Sequence, residues 1–251
     1  MGLGERVGQF VDRWADEGAT SDPENIARAY DKSANSAIER FIFQFRAGSF
    51  NPKQLASGIG DLCIPPTGKV EVLDVGCNSG AKSKLLLGML DEIGNTDPHI
   101  TAIDLSARAI DIAERDNDYP QIEYEVADFL KKDIETESLD YVFMAAVWHH
   151  IEDTRAAILK IEESLKPGGV ALVFDVFYPE NPMLRMLAVA AQKLYREVEE
   201  REGVYYNRPL VSEIRNLVRE NCDQLELKGS FLTGFLPAIF NTRMAVLQKE
   251  S

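Results

Sequence analysis

From residue 69 the chain alternates short β-type runs with helical ones, and no other feature of the sequence limits its fold as strongly. The β-type runs are 69–76 (KVEVLDVG), 99–105 (HITAIDL), 121–128 (QIEYEVAD), 138–147 (SLDYVFMAAV) and 170–177 (VALVFDVF). A helix is expected over 81–93, with Gly94 as its C-cap. A second follows Ser106 and a third follows Asp153, both residues that cap helix N-termini. The third carries Ala157, Ile158, Ile161 and Leu165 at its apolar positions, and Pro167-Gly168-Gly169 is expected to end it. Strands alternating with helices of this length predict an α/β fold, a parallel sheet covered on both faces. The run at 138–147 is nearly all apolar at its end, as a strand buried on both faces must be.

The flanks differ from this core. Residues 1–65 read as an N-terminal helical cap with two apolar stripes: Leu3, Val7, Phe10, Val11 and Trp14, then Ile26, Tyr30, Ala34, Ala37, Ile38, Phe41, Ile42 and Phe45. The core is expected over 66–251, with a helical insertion at about 179–221 made of helices near 181–202 and 209–221. Two further strands, 224–232 and 242–250, are joined by a loop too short and too rich in Pro and Gly for a helical crossover, so they pair antiparallel.

Composition narrows the function classes. Among 251 residues, 45% are hydrophobic, enough for a sizeable core, and no apolar run reaches the roughly 18 residues of a membrane span. The start, MGLGERVGQF, lacks the basic and apolar segments of a signal peptide, so a cytoplasmic location is expected. Cys63, Cys77 and Cys222 are widely spaced, which argues for reduced thiols and against a structural metal site. A net charge of −14 repels phosphate backbones and argues against a nucleic-acid substrate.

The chemistry concentrates where β-type runs end. Val72-Leu73-Asp74-Val75-Gly76-Cys77-Asn78-Ser79-Gly80 is a buried strand that ends in a carboxylate and a glycine-bearing turn, then opens into a helix. Glycine lets backbone approach a ligand closely, and a helix N-terminus offers free N–H groups. Asp104, followed by Leu105 and Ser106, ends the next run; an acid there can accept from both hydroxyls of a ribose. Asp128-Phe129 ends the third, with a carboxylate suited to an adenine amino group and a ring that packs on the base. A dinucleotide site is a competing reading, but its second glycine position holds Asn78.

Residues 70–178 resemble the core of the class I S-adenosylmethionine (SAM)-dependent methyltransferases. Asp74-Val75-Gly76-Cys77-Asn78-Ser79-Gly80 is similar to the family's first motif, Asp104 to its ribose-binding acid and Asp128-Phe129 to its adenine-contacting pair. Leu165-Lys166-Pro167-Gly168-Gly169-Val170 resembles its Leu-x-Pro-Gly-Gly signature. The resemblance implies a seven-stranded, doubly wound, mostly parallel sheet of order 3-2-1-4-5-7-6 with strand 7 antiparallel. It implies SAM as cofactor and S-adenosylhomocysteine (SAH) as product. It places Tyr30, Asp74, Gly76, Cys77, Asn78, Gly80, Asp104, Leu105, Asp128, Phe129 and Ala145 around that cofactor, with no metal. Asn78 departs from the family's usual glycine, and Asn tolerates the left-handed backbone that the turn requires.

By the same resemblance, Val147-Trp148-His149-His150-Ile151 faces the acceptor, and His149 or His150 can serve as a general base. Trp148 reads as packing. No Asn/Asp-Pro-Pro-Tyr/Phe motif or Pro-Cys nucleophile follows the fourth run. The apolar insertion, with Met183, Leu184, Met186, Leu187, Leu194, Tyr195, Tyr205 and Tyr206, reads as a lid over a small, partly hydrophobic acceptor. It can equally form a homodimer surface. A SAM-binding protein without transfer activity and a tRNA or protein methyltransferase are the alternative readings.

Overall fold

The first β-type run forms strand β1, Lys69–Val75, and its neighbours in space are set by what its alternate side chains bury. The computed structural model describes residues 52–198, 210–232 and 241–251. The first apolar stripes, Tyr30 and the lid tyrosines Tyr205 and Tyr206 lie outside the described residues. In chain order the described elements are α1 (Pro52–Gly60), β1, α2 (Ala81–Glu92), β2 (Asp97–Asp104), α3 (Ala107–Arg115), β3 (Ile122–Val126) and β4 (Leu139–Ala145). A 3-10 turn (Trp148–His150) follows, then α4 (Thr154–Ser164), β5 (Leu165–Phe177), α5 (Pro182–Val198), α6 (Val211–Asn221), β6 (Leu225–Leu232) and β7 (Asn241–Lys249).

The sheet has the order β3-β2-β1-β4-β5-β7-β6. Strands β1 to β5 run parallel, and β7 pairs antiparallel with both β5 and β6. The expected topology is therefore present. Each central strand divides its residues between two cores with period two, as both-face burial demands. Val70, Val72, Ile100, Ala102, Tyr141, Phe143, Leu172 and Val246 pack on the face covered by α1, α2 and α3. Leu73, Val75, Ile103, Val142, Met144, Val173 and Leu247 pack on the face covered by α4 and α6. Full burial of one such aliphatic side chain contributes roughly 1.5–3 kcal/mol, so truncating Ile100 to alanine would cost about 2–5 kcal/mol once the cavity is counted. Leu55, Ala56 and Ile59 of α1 belong to the first of these cores, so this helix is built into the sheet's packing.

Local sequence signals place the helix ends. The Ser106 hydroxyl accepts from the Ala109 N–H at 3.0 Å, and Asp153 accepts from the Ala156 N–H at 2.8 Å. Gly94, in left-handed backbone, donates to Asp91 O while Asn95 donates to Leu90 O, which closes the carboxyl end of α2. One expectation is corrected. Pro167-Gly168-Gly169 does not end the third helix of the core. That helix, α4, stops at Ser164, and Leu165 already has extended backbone. The Pro-Gly-Gly segment lies inside β5, where the pairing with β4 shifts register between Leu139 and Tyr141. The Gly168 N–H donates to Glu250 O, and a Cβ on Gly169 would stand 2.9 Å from Lys166 O. The glycines therefore answer to sheet packing and a bulge, not to helix termination.

Candidate functional site: a cavity at the carboxyl ends of the parallel strands

The turn after β1 places three residues in left-handed backbone within five positions: Gly76 (φ 70°), Asn78 (φ 51°) and Gly80 (φ 80°). A Cβ on Gly76 would lie 2.0 Å from Val147 Cγ2, so only glycine fits where this turn passes the segment after β4. Asn78 takes the left-handed conformation expected of it, and its Oδ1 accepts from the Ser79 N–H at 2.7 Å. The turn is fastened to β2. The N–H groups of Gly76 and Cys77 both donate to Ile103 O, at 2.7 and 3.0 Å. The Asn78 N–H donates to Asp104 Oδ2 at 2.9 Å, and the Ser106 N–H to Asp104 Oδ1 at 2.9 Å. Asp104 thus ends its strand with each oxygen already aligned by one backbone donor.

The carboxyl ends of β1 to β4 open onto a cavity of about 270 Å³. Its apolar wall comes from Val75, Ile103, Leu105, Ala127, Phe129 and Val147, and its carboxylates from Asp104, Asp128, Glu152 and Asp153. Lys82 is the single Lys or Arg among the described lining residues. Asp128 Oδ1 accepts from the Leu130 N–H at 3.0 Å, and Lys131 Nζ lies 3.1 Å from its other oxygen. Lys160 Nζ sits 5.7 Å from the centre of the Phe129 ring.

The electrostatics follow from burial. Asp74 is fully buried, and its carboxyl is pushed up to about 6 by desolvation, against the hydroxyl of Ser83, which donates to it at 2.6 Å, and the nearby Lys82 ammonium. Burial also raises Asp104, opposed by the backbone N–H groups of Ser106 and Asn78 and by Lys82. Lys82 is lowered by the same desolvation, with Asp74, Asp104 and Asp175 pulling it back. Burial raises the Cys77 thiol, which keeps it protonated and unreactive.

The two histidines separate sharply. His150 lines the cavity. His149 is buried behind it, and its Nδ1 lies 2.8 and 2.9 Å from the two oxygens of Asp175. An ionised carboxylate only accepts, so Nδ1 carries the proton. The His149 N–H reaches Asp175 as well, at 3.2 Å. Burial works against the Asp175 charge, but His149 and the hydrogen bonds from His149 and Val176 outweigh it and hold the carboxyl below its ordinary range. The two imidazoles are 4.0 Å apart between centres and tilted by 50°. Ala146, beside them on the cavity wall, is non-glycine in left-handed backbone (φ 57°), pinned by its N–H to Phe174 O at 2.7 Å.

Of the residues singled out from sequence, Gly76, Asn78, Asp104, Leu105, Asp128, Phe129 and His150 meet on the cavity wall. Asp74, Cys77, Gly80, Ala145 and His149 do not line it, and Tyr30 lies outside the described residues. Trp148 is buried in the core, as a packing residue. Sequence reasoning missed Lys82, Ala146 and Asp175. One of these carried a signal, Asp175, a carboxylate inside VALVFDVF.

The donor set fits SAM. An apolar slot between Ile103, Leu105, Ala127 and Phe129 is flanked by Asp104 and Asp128, which suits an adenosine, and the excess of carboxylates suits a cationic sulfonium. The sheet order is that of the methyltransferase fold. A family described as "Methyltransferase domain" matches residues 73–173. An O-methyltransferase of Penicillium expansum, cnsE, is 22% identical over 236 residues, which cover 85% of this chain and 83% of that protein. Phosphoethanolamine N-methyltransferase 2 of Caenorhabditis elegans is 32% identical over 134 residues, 51% of this chain and 25% of that protein. In fold, the chain is similar to a methyltransferase solved in complex with the Trm112 methyltransferase activator of Haloferax volcanii, with a TM-score of 0.67 at 17% identity, covering 88% of this chain and 98% of that one. Residues 73–173 of this chain form a SAM-dependent methyltransferase domain. Among the described residues no helix is long and apolar enough to cross a membrane.

Proposed function

We propose that this methyltransferase acts on a small, partly hydrophobic acceptor, with His150 as the general base. The observation that carries the reading is the position of His150 on the cavity wall beyond β4, with the buried His149–Asp175 pair tilted against it. SAM, when bound, supplies a methyl group already activated by positive sulfur. Asp104 and Asp128 would hold the adenosine, Asp104 through the hydroxyls of the ribose and Asp128 through the amino group of the base. His150 would take the proton of an acceptor hydroxyl or amine, since imidazole titrates near neutral pH. His149 is a positioning residue that acts through its contact with His150. Val147 and Ile151 present an apolar surface on the same side of the cavity.

The flanking elements supply the remainder of the acceptor pocket in this reading. Met183, Leu184 and Leu187 expose an apolar face on α5, while Ala188 and Val189 anchor the helix against Tyr178 and Leu210. The exposed apolar face of α5 would cover the acceptor and exclude water from the transfer. One relative supports a small acceptor by name, a phosphoethanolamine N-methyltransferase. The test is a screen with methyl-labelled SAM against small hydroxyl and amine compounds, bulk tRNA and protein extract. Label transfer to small molecules is expected. Transfer to tRNA or protein alone would overturn the reading.

A further inference from the structure

Lys82 lies on the first turn of α2, and its Nζ donates to the backbone carbonyl of Ala145 and, at 3.5 Å, to that of Gly76. These carbonyls close the ends of β4 and β1, which are neighbours in the sheet. The ammonium also borders the cavity, where the other charged lining residues described are Asp104, Asp128, Glu152 and Asp153. Both of these hydrogen bonds go to neutral oxygens, while the carboxylates of Asp74, Asp104 and Asp175 favour its charge from nearby.

The strand order β3-β2-β1-β4 gives the cavity a direction. Asp128 and Phe129 stand at the β3 end, Asp104 follows at β2, and Lys82 bridges the ends of β1 and β4. A cofactor whose adenosine lies along Asp104 and Asp128 extends its amino-acid end toward Lys82. That end carries one carboxylate and one ammonium. An ammonium placed there would meet the like charge of Lys82, beside strand-end carbonyls, Gly76 O and Ala145 O, that already accept from it. A carboxylate, in contrast, meets a partly buried cation, and charge-assisted bonds of this kind are the strong ones. We propose that Lys82 is a specificity-determining residue that makes the cavity select its cofactor through the amino-acid carboxylate and not through the ammonium. The inference rests on adenosine lying along Asp104 and Asp128.

Calorimetry on the full chain tests it, with SAH, its decarboxylated analogue, its deaminated analogue and 5′-methylthioadenosine as probes. In the wild type, loss of the carboxylate is expected to weaken binding roughly tenfold or more, and loss of the ammonium only about threefold or less. In Lys82→Met, SAH is expected to fall to the affinity of the decarboxylated analogue, while 5′-methylthioadenosine binds as before. A wild type that loses more affinity with the ammonium than with the carboxylate would overturn the proposal, and this comparison needs no variant to fold. A Lys82→Met chain that loses SAH and 5′-methylthioadenosine in equal measure would overturn it too, because Lys82 would then only shape the turn. Failure of the underlying placement reads differently: all four probes would bind Asp104→Ala as well as the wild type, and the proposal would fall with it.

Discussion

The two ends of the cavity are assembled in different ways. At the β2–β3 end each polar group is a strand-end residue whose partners include its own chain neighbours: Asp104 accepts from Ser106, and Asp128 from Leu130, two residues on. At the β4–β5 end the contacts join distant parts of the chain. His149 meets Asp175, 26 residues later, and the Ala146 N–H reaches Phe174 O. The first end is a motif, repeated strand by strand. The second exists only after β5 has been laid beside β4. An end built from local turns suits the constant part of a reaction, the cofactor, and one built from long-range contacts can vary with the acceptor.

Four substitutions sharpen or break that contrast. The largest effect is expected at His150→Ala, with kcat down about 10²- to 10⁴-fold and SAH affinity unchanged by calorimetry. Equal loss of SAH binding would move His150 into the cofactor end. Next is Asp175→Asn, which removes the charge that His149 faces. Its cost is about 3 kcal/mol in urea denaturation at pH 7, where an uncompensated buried partner is left. Because the folded state holds Asp175 below the ordinary carboxylate range, its contribution is complete above the unfolded value near 4 and disappears as the pH falls through the lower folded value. The difference between wild type and variant should therefore shrink on acidification, and a constant difference would refute the ion pair.

Asp104→Ala ranks third, at about 1.5–3 kcal/mol of SAH binding, or ten- to over a hundredfold. The smallest effect belongs to Ala146→Gly. Left-handed backbone costs a non-glycine residue about 1–2 kcal/mol, and glycine's extra freedom in the unfolded chain returns about 0.4–1 of it. The variant should equal or exceed the wild type in stability by up to about 1 kcal/mol. A clear loss would show that the alanine methyl itself packs against the site.

Much of this molecule is readable from its residues one after another. The five parallel strands, the caps at Ser106 and Asp153 and the glycine turn at 76–80 follow from periodicity and short-range chemistry. Pro167-Gly168-Gly169 misleads for a physical reason: the same residues that stop a helix also permit a bulge, and only the pairing of β5 with β4 and β7 selects between them. The histidine pair was equally ambiguous in one dimension, since adjacent residues in a short turn have the same composition and the same distance from β4. Their opposite placement depends on Asp175, which the approach of β5 brings under His149.

By itself the sequence determined the α/β class, the strand ends that carry Asp104 and Asp128, and the glycine-bearing turn at 76–80, because each depends on spacing or on the conformational freedom of single residues. Tertiary structure alone decided which histidine faces the cavity, that Asp175 fixes the other, and that the Lys82 ammonium stands on the carbonyls of two neighbouring strands. Those contacts depend on distances between residues far apart in the chain, which no local pattern encodes.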